Sequence, residues 1–375
     1  KYARIDEGGT WSTKGYLCQG RQQLGTTWWR ITGPAEPNNP GTLQVWPVDG
    51  VTVGSLPVGG TGPSSYPWDD RRSEIKSFEV VGADKTVSTY GSAPVNYMFY
   101  NCENLESVHF QADANSNRGS FQATWSAGAA FMFSGCKKLQ SLDLTGFIRS
   151  SMLSTEQMFS GCNALSSLVL DNSDTSSVTT MRRMFSGCSS LQQLNLQSFN
   201  TESVSSMEGM FQNCSELESA WVDGFSTLNL TTTESMFAGC SSLTTLNLQN
   251  YTMKKAERMA GMFSGCTELR DLKISRFNTA AATDMSSMFA NCINLTELNL
   301  AGFSCPATLT STTSMFSGCG ALKTIYTTSA FNLSGVRYTG SMFAGCNNLY
   351  GGQGTPFDAR HIDKEYARLD TRLES

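Results

Sequence analysis

Residues 184–199 read Met-Phe-Ser-Gly-Cys-Ser-Ser-Leu-Gln-Gln-Leu-Asn-Leu-Gln-Ser-Phe, and this stretch decides the fold. Its opening motif, Met-Phe-x-x-Cys-x-x-Leu, occurs ten times between Met98 and Leu349. Six consecutive intervals are 26 residues long, and the others are 34, 27 and 27 residues. A fixed period of this length is the sequence signature of a repeat protein. One such unit cannot bury its own apolar face, so the units must stack into a solenoid.

Each repeat carries two kinds of periodicity. Residues 191–196 follow the pattern Leu-x-x-Leu-x-Leu, whose last part alternates as in a short strand with one buried face. Residues 207–214 place Met, Met, Phe and Cys at positions i, i+3, i+4 and i+7, which predicts a short helix packed inward. We therefore expect an α/β repeat solenoid, a right-handed leucine-rich-repeat-like stack of ten turns, each with one short strand and one short helix.

The two ends of the chain depart from the repeat, as terminal units of a stack generally do. Residues 1–93 lack the motif, contain five of the seven Trp and include strand-like segments separated by Gly- and Pro-rich stretches. We predict a small β-rich N-terminal cap over 1–93, with Trp28, Trp29 and Trp46 in its core. The repeat solenoid then occupies 94–350, and a C-terminal tail or module junction occupies 351–375.

Composition and motifs argue against several classes of function. The net charge is −5 and no basic stripe is present, so nucleic acid is not an expected partner. No apolar run reaches the roughly 18 residues of a membrane span, so this segment should not insert into a membrane directly. The chain has two His without an identifiable partner and no phosphate-binding loop. We expect no enzyme activity, no catalytic residues and no cofactor.

Ten of the twelve cysteines occupy the same position of the motif. In a stack, these residues lie one above another with parallel Cα–Cβ bonds, whereas a disulfide requires the two Cβ atoms to turn toward each other. A line of thiols also differs from the tetrahedral cluster that binds zinc. The column cysteines are therefore predicted to be buried free thiols that act as small apolar residues, with no metal site.

The strand face is the candidate binding surface. The middle residue of each Leu-x-Leu points away from the core, which gives His109, Asp143, Val169, Asn195, Trp221, Asn247, Lys273, Asn299 and Tyr326. Trp221 and Tyr326 are large aromatic residues at positions that should be exposed, as binding anchors often are. We take as candidate ligand-binding residues Trp221, Tyr326, Asn195, Asn247, Lys273 and Asn299. The alternative is a solvated sheet without a ligand.

The repeat Met-Phe-Ser-Gly-Cys-x-x-Leu-x-x-Leu-x-Leu-x-x-Phe resembles the BspA-type leucine-rich repeat. It is similar in particular to the 26-residue bacterial variant labelled "mycoplasma protein of unknown function". The Gly-rich segment 351–355 together with 366–370 resembles the module ending of this family, and the stretches 67–68 and 75–78 resemble its N-terminal cap. The resemblance implies an extracellular, secreted or surface-anchored protein of host-associated bacteria, with adhesion or matrix binding as its role. It implies no catalytic residues.

Three functions are compatible with these observations. The first is a non-catalytic bacterial surface binding or adhesion module that presents the concave strand face to a protein or glycoprotein ligand, such as host matrix. The second is a carbohydrate-binding protein that acts through the Trp-rich N-terminal cap, since exposed indole rings can stack on sugars. The third is a structural spacer in a surface protein with several modules.

Overall fold

A computed structural model describes residues 11–12, 17–18, 22–24, 27–33, 41–47, 53–56, 62, 66–89, 94–113, 115–123, 127–351 and 356–364. The chain divides into two compact units, unit 1 (1–177) and unit 2 (178–375), which are treated separately below. Both units consist mainly of short strands and tight turns.

The described residues form eighteen strands and two short 3-10 helices, the latter at Asp69–Glu74 and Leu333–Gly335. The strands are β1 (Trp11–Ser12), β2 (Leu17–Cys18), β3 (Gln22–Leu24), β4 (Thr27–Thr32), β5 (Gly41–Pro47), β6 (Val53–Leu56), β7 (Ile75–Val80), β8 (Thr86–Thr89), β9 (Ser107–His109), β10 (Ser120–Gln122), β11 (Ser141–Asp143), β12 (Ser167–Val169), β13 (Gln193–Asn195), β14 (Ser219–Trp221), β15 (Thr245–Asn247), β16 (Asp271–Lys273), β17 (Glu297–Asn299) and β18 (Thr324–Tyr326).

The N-terminal part of unit 1 is rich in strands. A five-stranded sheet has the order β3-β4-β5-β7-β9, and a three-stranded sheet has the order β10-β8-β6. The first sheet changes from antiparallel pairing at β4 and β5 to parallel pairing from β5 onward, so its last strands already run like those of the repeats. The domain boundary near residue 93 stays a prediction.

The Trp residues of this region differ in their surroundings. Trp29 is buried and packs edge-to-face on Trp68, with ring centroids 5.8 Å apart. Trp46 is only half-buried, and the guanidinium carbon of Arg30 lies 5.2 Å from the centre of its ring. Trp46 is therefore only partly in the core, unlike the prediction, because one side of its ring is covered by a charged side chain. The side chain of Trp28 lies outside the described residues.

The repeats form a solenoid whose strands pair in parallel, one repeat apart. Leu142 lies opposite Leu168 in unit 1, and Leu246 lies opposite Leu272 in unit 2. Each of these Leu residues occurs at the same position of its repeat, so the 26-residue period sets the register. Leu142, Leu246 and Leu272 are buried, and the strand residues on either side of them are exposed, whereas Leu168 is half-buried.

The short helix predicted for each repeat is wrong, since no α-helix occurs among the residues that the structure describes. Residues 181–188 instead form consecutive tight turns in which backbone N–H groups alternate between two destinations. The N–H of Met184 donates to the carbonyl of Met181 in its own turn at 3.2 Å. The N–H of Arg183 donates to the carbonyl of Glu208 in the next coil, meaning the next turn of the solenoid, at 2.8 Å.

Two positions in each coil have left-handed backbone conformations, which interrupt any helix. One position directly precedes the Met of the motif and is occupied by Tyr97, Phe131, Gln157, Arg183, Gly209, Ser235, Gly261, Ser287, Ser314 and Ser341. The other directly precedes the Cys and is occupied by Asn101, Gly135, Gly161, Gly187, Asn213, Gly239, Gly265, Asn291, Gly318 and Gly345. The second position contains only Gly and Asn, the residues that adopt positive φ most readily.

The core of unit 2 contains a column of stacked Phe rings. Phe237 lies between Phe211, with ring centroids 5.2 Å apart, and Phe263, with centroids 6.0 Å apart. The planes of both pairs are within about 10° of parallel, and all three rings are fully buried. Each stacked pair contributes roughly 0.5–1.5 kcal/mol beyond the area that it buries. The strand register and the ring stack thus impose the same repeat spacing.

The column cysteines are free thiols, and all ten are buried. Their sulfur atoms are nevertheless polar partners: the Sγ–H of Cys240 donates to the backbone carbonyl of Phe211 in the preceding coil at 3.1 Å. The same contact joins Cys266 to Phe237 at 3.2 Å. The thiol therefore links adjacent coils as well as filling space. Cys305, outside the column, is also a free thiol and is half-buried; the side chain of Cys18 lies outside the described residues.

Candidate functional site

The structure places all six candidate residues on the outward side of unit 2. They form three directly opposed pairs in parallel strands, Asn195 with Trp221, Asn247 with Lys273 and Asn299 with Tyr326. All six side chains are exposed, and the two aromatic ones keep 42% and 37% of their surface accessible. They are the exposed aromatic residues of the described strands in unit 2.

The three asparagines have a structural use. The Oδ1 atom of Asn195 accepts a hydrogen bond from the backbone N–H of Gln197 at 3.1 Å, and that of Asn299 accepts one from Ala301 at 3.0 Å. Asn247 makes the same contact at 3.2 Å. These are Asx turns, in which a short side chain replaces a backbone acceptor where the strand ends. The recurrence of Asn in this column thus has a local explanation that requires no ligand.

A surface depression of about 380 Å³ lies on the strand face around three of the candidate residues. Its walls come from neighbouring coils and combine charged, amide and phenol groups. The side chains that give it this character are Lys273, Asn299, Tyr326, Arg270, Glu297 and Gln249. The structure therefore brings Lys273, Asn299 and Tyr326 together.

The basic side chains at the depression are paired with carboxylates at exposed positions. The ammonium of Lys273 lies 3.6 Å from a carboxylate oxygen of Asp271, and both side chains are about half exposed. The guanidinium of Arg270 contacts Glu268 at 2.8 Å, also at an exposed position. Exposed pairs of this kind contribute about 0–1 kcal/mol each. Their side chains can exchange partners at little cost if a ligand offers a better one.

Arg270 is a site residue that the Leu-x-Leu rule does not identify. It stands three residues before Lys273, directly after an inward-pointing Leu, yet its side chain also lines the depression. The equivalent residues in the other coils of unit 2 are Gln192, Glu218, Thr244, Thr296, Lys323 and Tyr350, and all are exposed. The sequence signal that could have identified Arg270 is its place at the first x of Leu-x-x-Leu. This position also faces outward, so the outward surface is wider than the three-residue strand.

Among the described residues, no three His, Cys, Asp or Glu side chains lie close enough together to hold a metal ion. His109 lies in unit 1 at the end of β9, where burial, followed by the nearby Arg118 charge, lowers the pKa of its imidazole. The part of the chain described here also contains no helix of the length and apolarity needed to span a bilayer.

Solved structures of bacterial leucine-rich repeat proteins resemble the chain at low identity. One from Eubacterium ventriosum is 15% identical, with 78% of this chain and 92% of that chain covered and a TM-score of 0.34. One from Bacteroides ovatus is 17% identical, with 88% and 93% covered and a TM-score of 0.28. One from Leptospira interrogans is 13% identical, with 79% and 76% covered and a TM-score of 0.27.

The repeats themselves match a known family. None of the curated proteins compared with the chain matches it. Residues 127–246 and 231–352, however, each match the family described as "Mycoplasma protein of unknown function, DUF285", and together they span more than half of the chain. This match confirms the resemblance to BspA-type repeats noted from the Met-Phe-x-x-Cys motif. The chain belongs to this family of bacterial leucine-rich repeat proteins.

Proposed function

We propose that the strand face of unit 2 is the protein-binding surface of a non-catalytic repeat module. The observation that carries this proposal is the exposure of Trp221 at an outward strand position, where the neighbouring repeats have Asn. Tyr326 and the depression beside Lys273 extend the same face by several coils. Burying these aromatic rings against a partner would remove apolar surface from water without any reorganisation of the solenoid.

The setting that we propose is the bacterial cell surface. The resemblance to BspA-type proteins supports an extracellular module, and adhesion to a protein or glycoprotein ligand, host matrix included, fits that setting. A stack of short strands joined by backbone hydrogen bonds supports the same role, because its backbone is ordered before binding and less entropy is lost on association.

The test is binding of immobilised full-length chain to a panel of purified matrix glycoproteins, followed by substitution. Trp221→Ala should weaken binding of the captured glycoprotein by about tenfold or more, as for a central anchor. The control is Tyr338→Ala, which removes a more exposed aromatic ring of unit 2 that is not part of a strand. Equal affinities of the Trp221→Ala variant and the unchanged chain would contradict the proposal.

The N-terminal cap is the rival surface, and a sugar is its expected ligand. Trp29 and Trp68 are buried, so their rings are not available for stacking on a sugar, and Trp46 is half-buried beneath Arg30. These contacts favour the strand face. A glycan array probed with the full chain tests the rival surface, which requires a sugar signal that Trp46→Ala abolishes and Trp221→Ala leaves unchanged. A sugar signal that only Trp221→Ala abolishes would instead assign sugar recognition to the strand face.

A further inference from the structure

We infer that Trp221, together with Glu218 and Asp223, forms a seat for a basic side chain, lysine or arginine, of the bound partner. This inference deepens the proposed function and rests on it, because it assigns the chemistry of one contact on the strand face. The starting point is the exposed indole ring, whose negative face attracts cations.

Repeat equivalence places the three side chains on one face. Two repeats separate Trp221 from Lys273, and the same 52-residue step relates Glu218 to Arg270 and Asp223 to Ser275. Lys273, Arg270 and Ser275 all line the surface depression. Their equivalents therefore point to the same side of the solenoid, and Glu218, Trp221 and Asp223 are all exposed.

The charge around Trp221 is negative and is not balanced nearby. Among the described residues, neither Glu218 nor Asp223 takes part in an ion pair. Besides Asn195 and Asn247, the outward positions of the two adjacent coils hold uncharged residues, Gln192, Gln193, Gln197, Thr244, Thr245 and Gln249. The nearest basic residues of this face are two coils away, roughly 10 Å at the usual strand spacing. Arg270 and Lys273 also have carboxylates of their own.

This arrangement distinguishes the seat from the depression. At the depression, Arg270 and Lys273 alternate with Asp271 and Glu297, so that surface does not select for one sign of charge. At Trp221, a cation over the ring would gain from the π system and from both carboxylates at once. A carboxylate in the same place would be repelled by all three groups. The partner group that fits is therefore an exposed lysine or arginine.

The experiment uses the full chain with 5-fluorotryptophan in place of its seven Trp and follows the ¹⁹F spectrum. Trp221→Phe assigns the signal. The probe is the peptide acetyl-Gly-Gly-Lys-Gly-Gly-amide, and glutamine replaces lysine in the matched peptide. We expect a saturable shift of the Trp221 signal with lysine only. Its apparent affinity should fall about fivefold in Glu218→Gln/Asp223→Asn and also as salt rises from about 20 to about 300 mM.

Glu257→Gln is the control variant, because it removes an exposed carboxylate of unit 2 that lies outside the strands and the depression, and it should leave the shift unchanged. Equal shifts with the two peptides, or unaltered affinity in the double variant, would overturn the inference. If a glycoprotein still requires Trp221 in that case, the proposed function stands and only the cation seat fails. If the lysine peptide binds as expected but no glycoprotein depends on Trp221, the seat stands and the proposed function fails.

Discussion

The side-chain oxygen of Asn291 lies 2.3 Å from the point where a Cβ atom on Gly318 would stand. The two residues occupy the same position in adjacent coils, directly before the column Cys, and both have positive φ. An Asn in this column thus occupies the space beside the next coil and obliges that coil to use Gly. Gly265 differs, because its neighbour in the preceding coil is Gly239, and the nearest atom to an added Cβ is 3.6 Å away.

This difference predicts unequal costs for the same substitution. Gly265→Ala should lower the free energy of unfolding by about 1–2 kcal/mol, the cost of a left-handed backbone for a residue with a Cβ. Gly318→Ala should cost roughly 1 kcal/mol more, because Asn291 must move as well. Urea unfolding followed by circular dichroism measures both values. Equal losses in the two variants would show that Asn291 does not restrict its neighbour.

The other left-handed position offers a stabilising change. Ser287 has a φ of 53°, and Gly209 and Gly261 already occupy the equivalent place in other coils. Ser287→Gly should raise the free energy of unfolding by about 0.5–1 kcal/mol, since relief of the strain exceeds the extra chain entropy of Gly. The adjacent Ser286, which does not have positive φ, is the control, and Ser286→Gly should destabilise. A loss of stability in Ser287→Gly would contradict this account.

Because the column thiols are buried, we predict that the folded chain loses stability at alkaline pH. Burial raises the pKa of the Cys214 and Cys266 thiols from the ordinary value of 9.0 to about 12. Above pH 9 the unfolded thiols lose protons that the folded ones retain, so stability falls as pH rises from 9 toward 12. Each such thiol should lower the free energy of unfolding by about 1.4 kcal/mol per pH unit in that range. Urea midpoints at pH 8, 9 and 10 measure the effect.

Replacing one thiol provides the control for this pH dependence. Cys266→Ala removes a titrating group along with the hydrogen bond to the Phe237 carbonyl. The variant should be less stable at pH 8 yet lose less stability between pH 9 and pH 10 than the unchanged chain. At pH 8 the folded chain should leave its column thiols unreactive toward a disulfide reagent until urea is added. Rapid labelling without urea would mean that these thiols are accessible.

The structural role of the strand-face asparagines in Asx turns can be tested separately from a role in binding. Asn247→Ala should lower the free energy of unfolding by about 0.5–1.5 kcal/mol, because the N–H of Gln249 loses its acceptor. Asn247→Asp keeps the acceptor and should leave stability nearly unchanged. Gln193→Ala, at an exposed position of β13, is the control. If Asn247→Ala is as stable as the control, the turn contributes nothing and the residue is free for a binding role.

Much of the fold follows from the spacing of the repeat, but the helix does not. The period and the Leu-x-Leu alternation predicted parallel strands in register, as Leu246 opposite Leu272 confirms. The i, i+3, i+4, i+7 pattern was misleading because consecutive tight turns bring the same residues inward. The corrective signal is the Gly or Asn before each column Cys. A helix tolerates one such residue, whereas a Gly or Asn at the same place in every repeat indicates a left-handed backbone.

The sequence predicted which face carries the candidate site, but not every residue that forms it. The alternation along the strand correctly predicted that the side chains of Trp221 and Tyr326 are exposed. It did not identify Arg270, because Arg270 precedes the three-residue strand to which the alternation applies. Its side chain nevertheless lines the same face. Nor could the alternation separate Asn195 from Trp221, since an Asx turn depends on the local backbone that follows the strand.

The hydrogen bonds between coils in unit 2 also determine how it responds to mechanical load. They run from each coil to its neighbour at the strand and again at the turns, and the thiols add one more link per coil. Tension along the stack therefore acts on these bonds one coil at a time. Each rupture should release a coil of 26 or 27 residues, about 90 Å of extended chain, so the stack would lengthen in nearly equal steps.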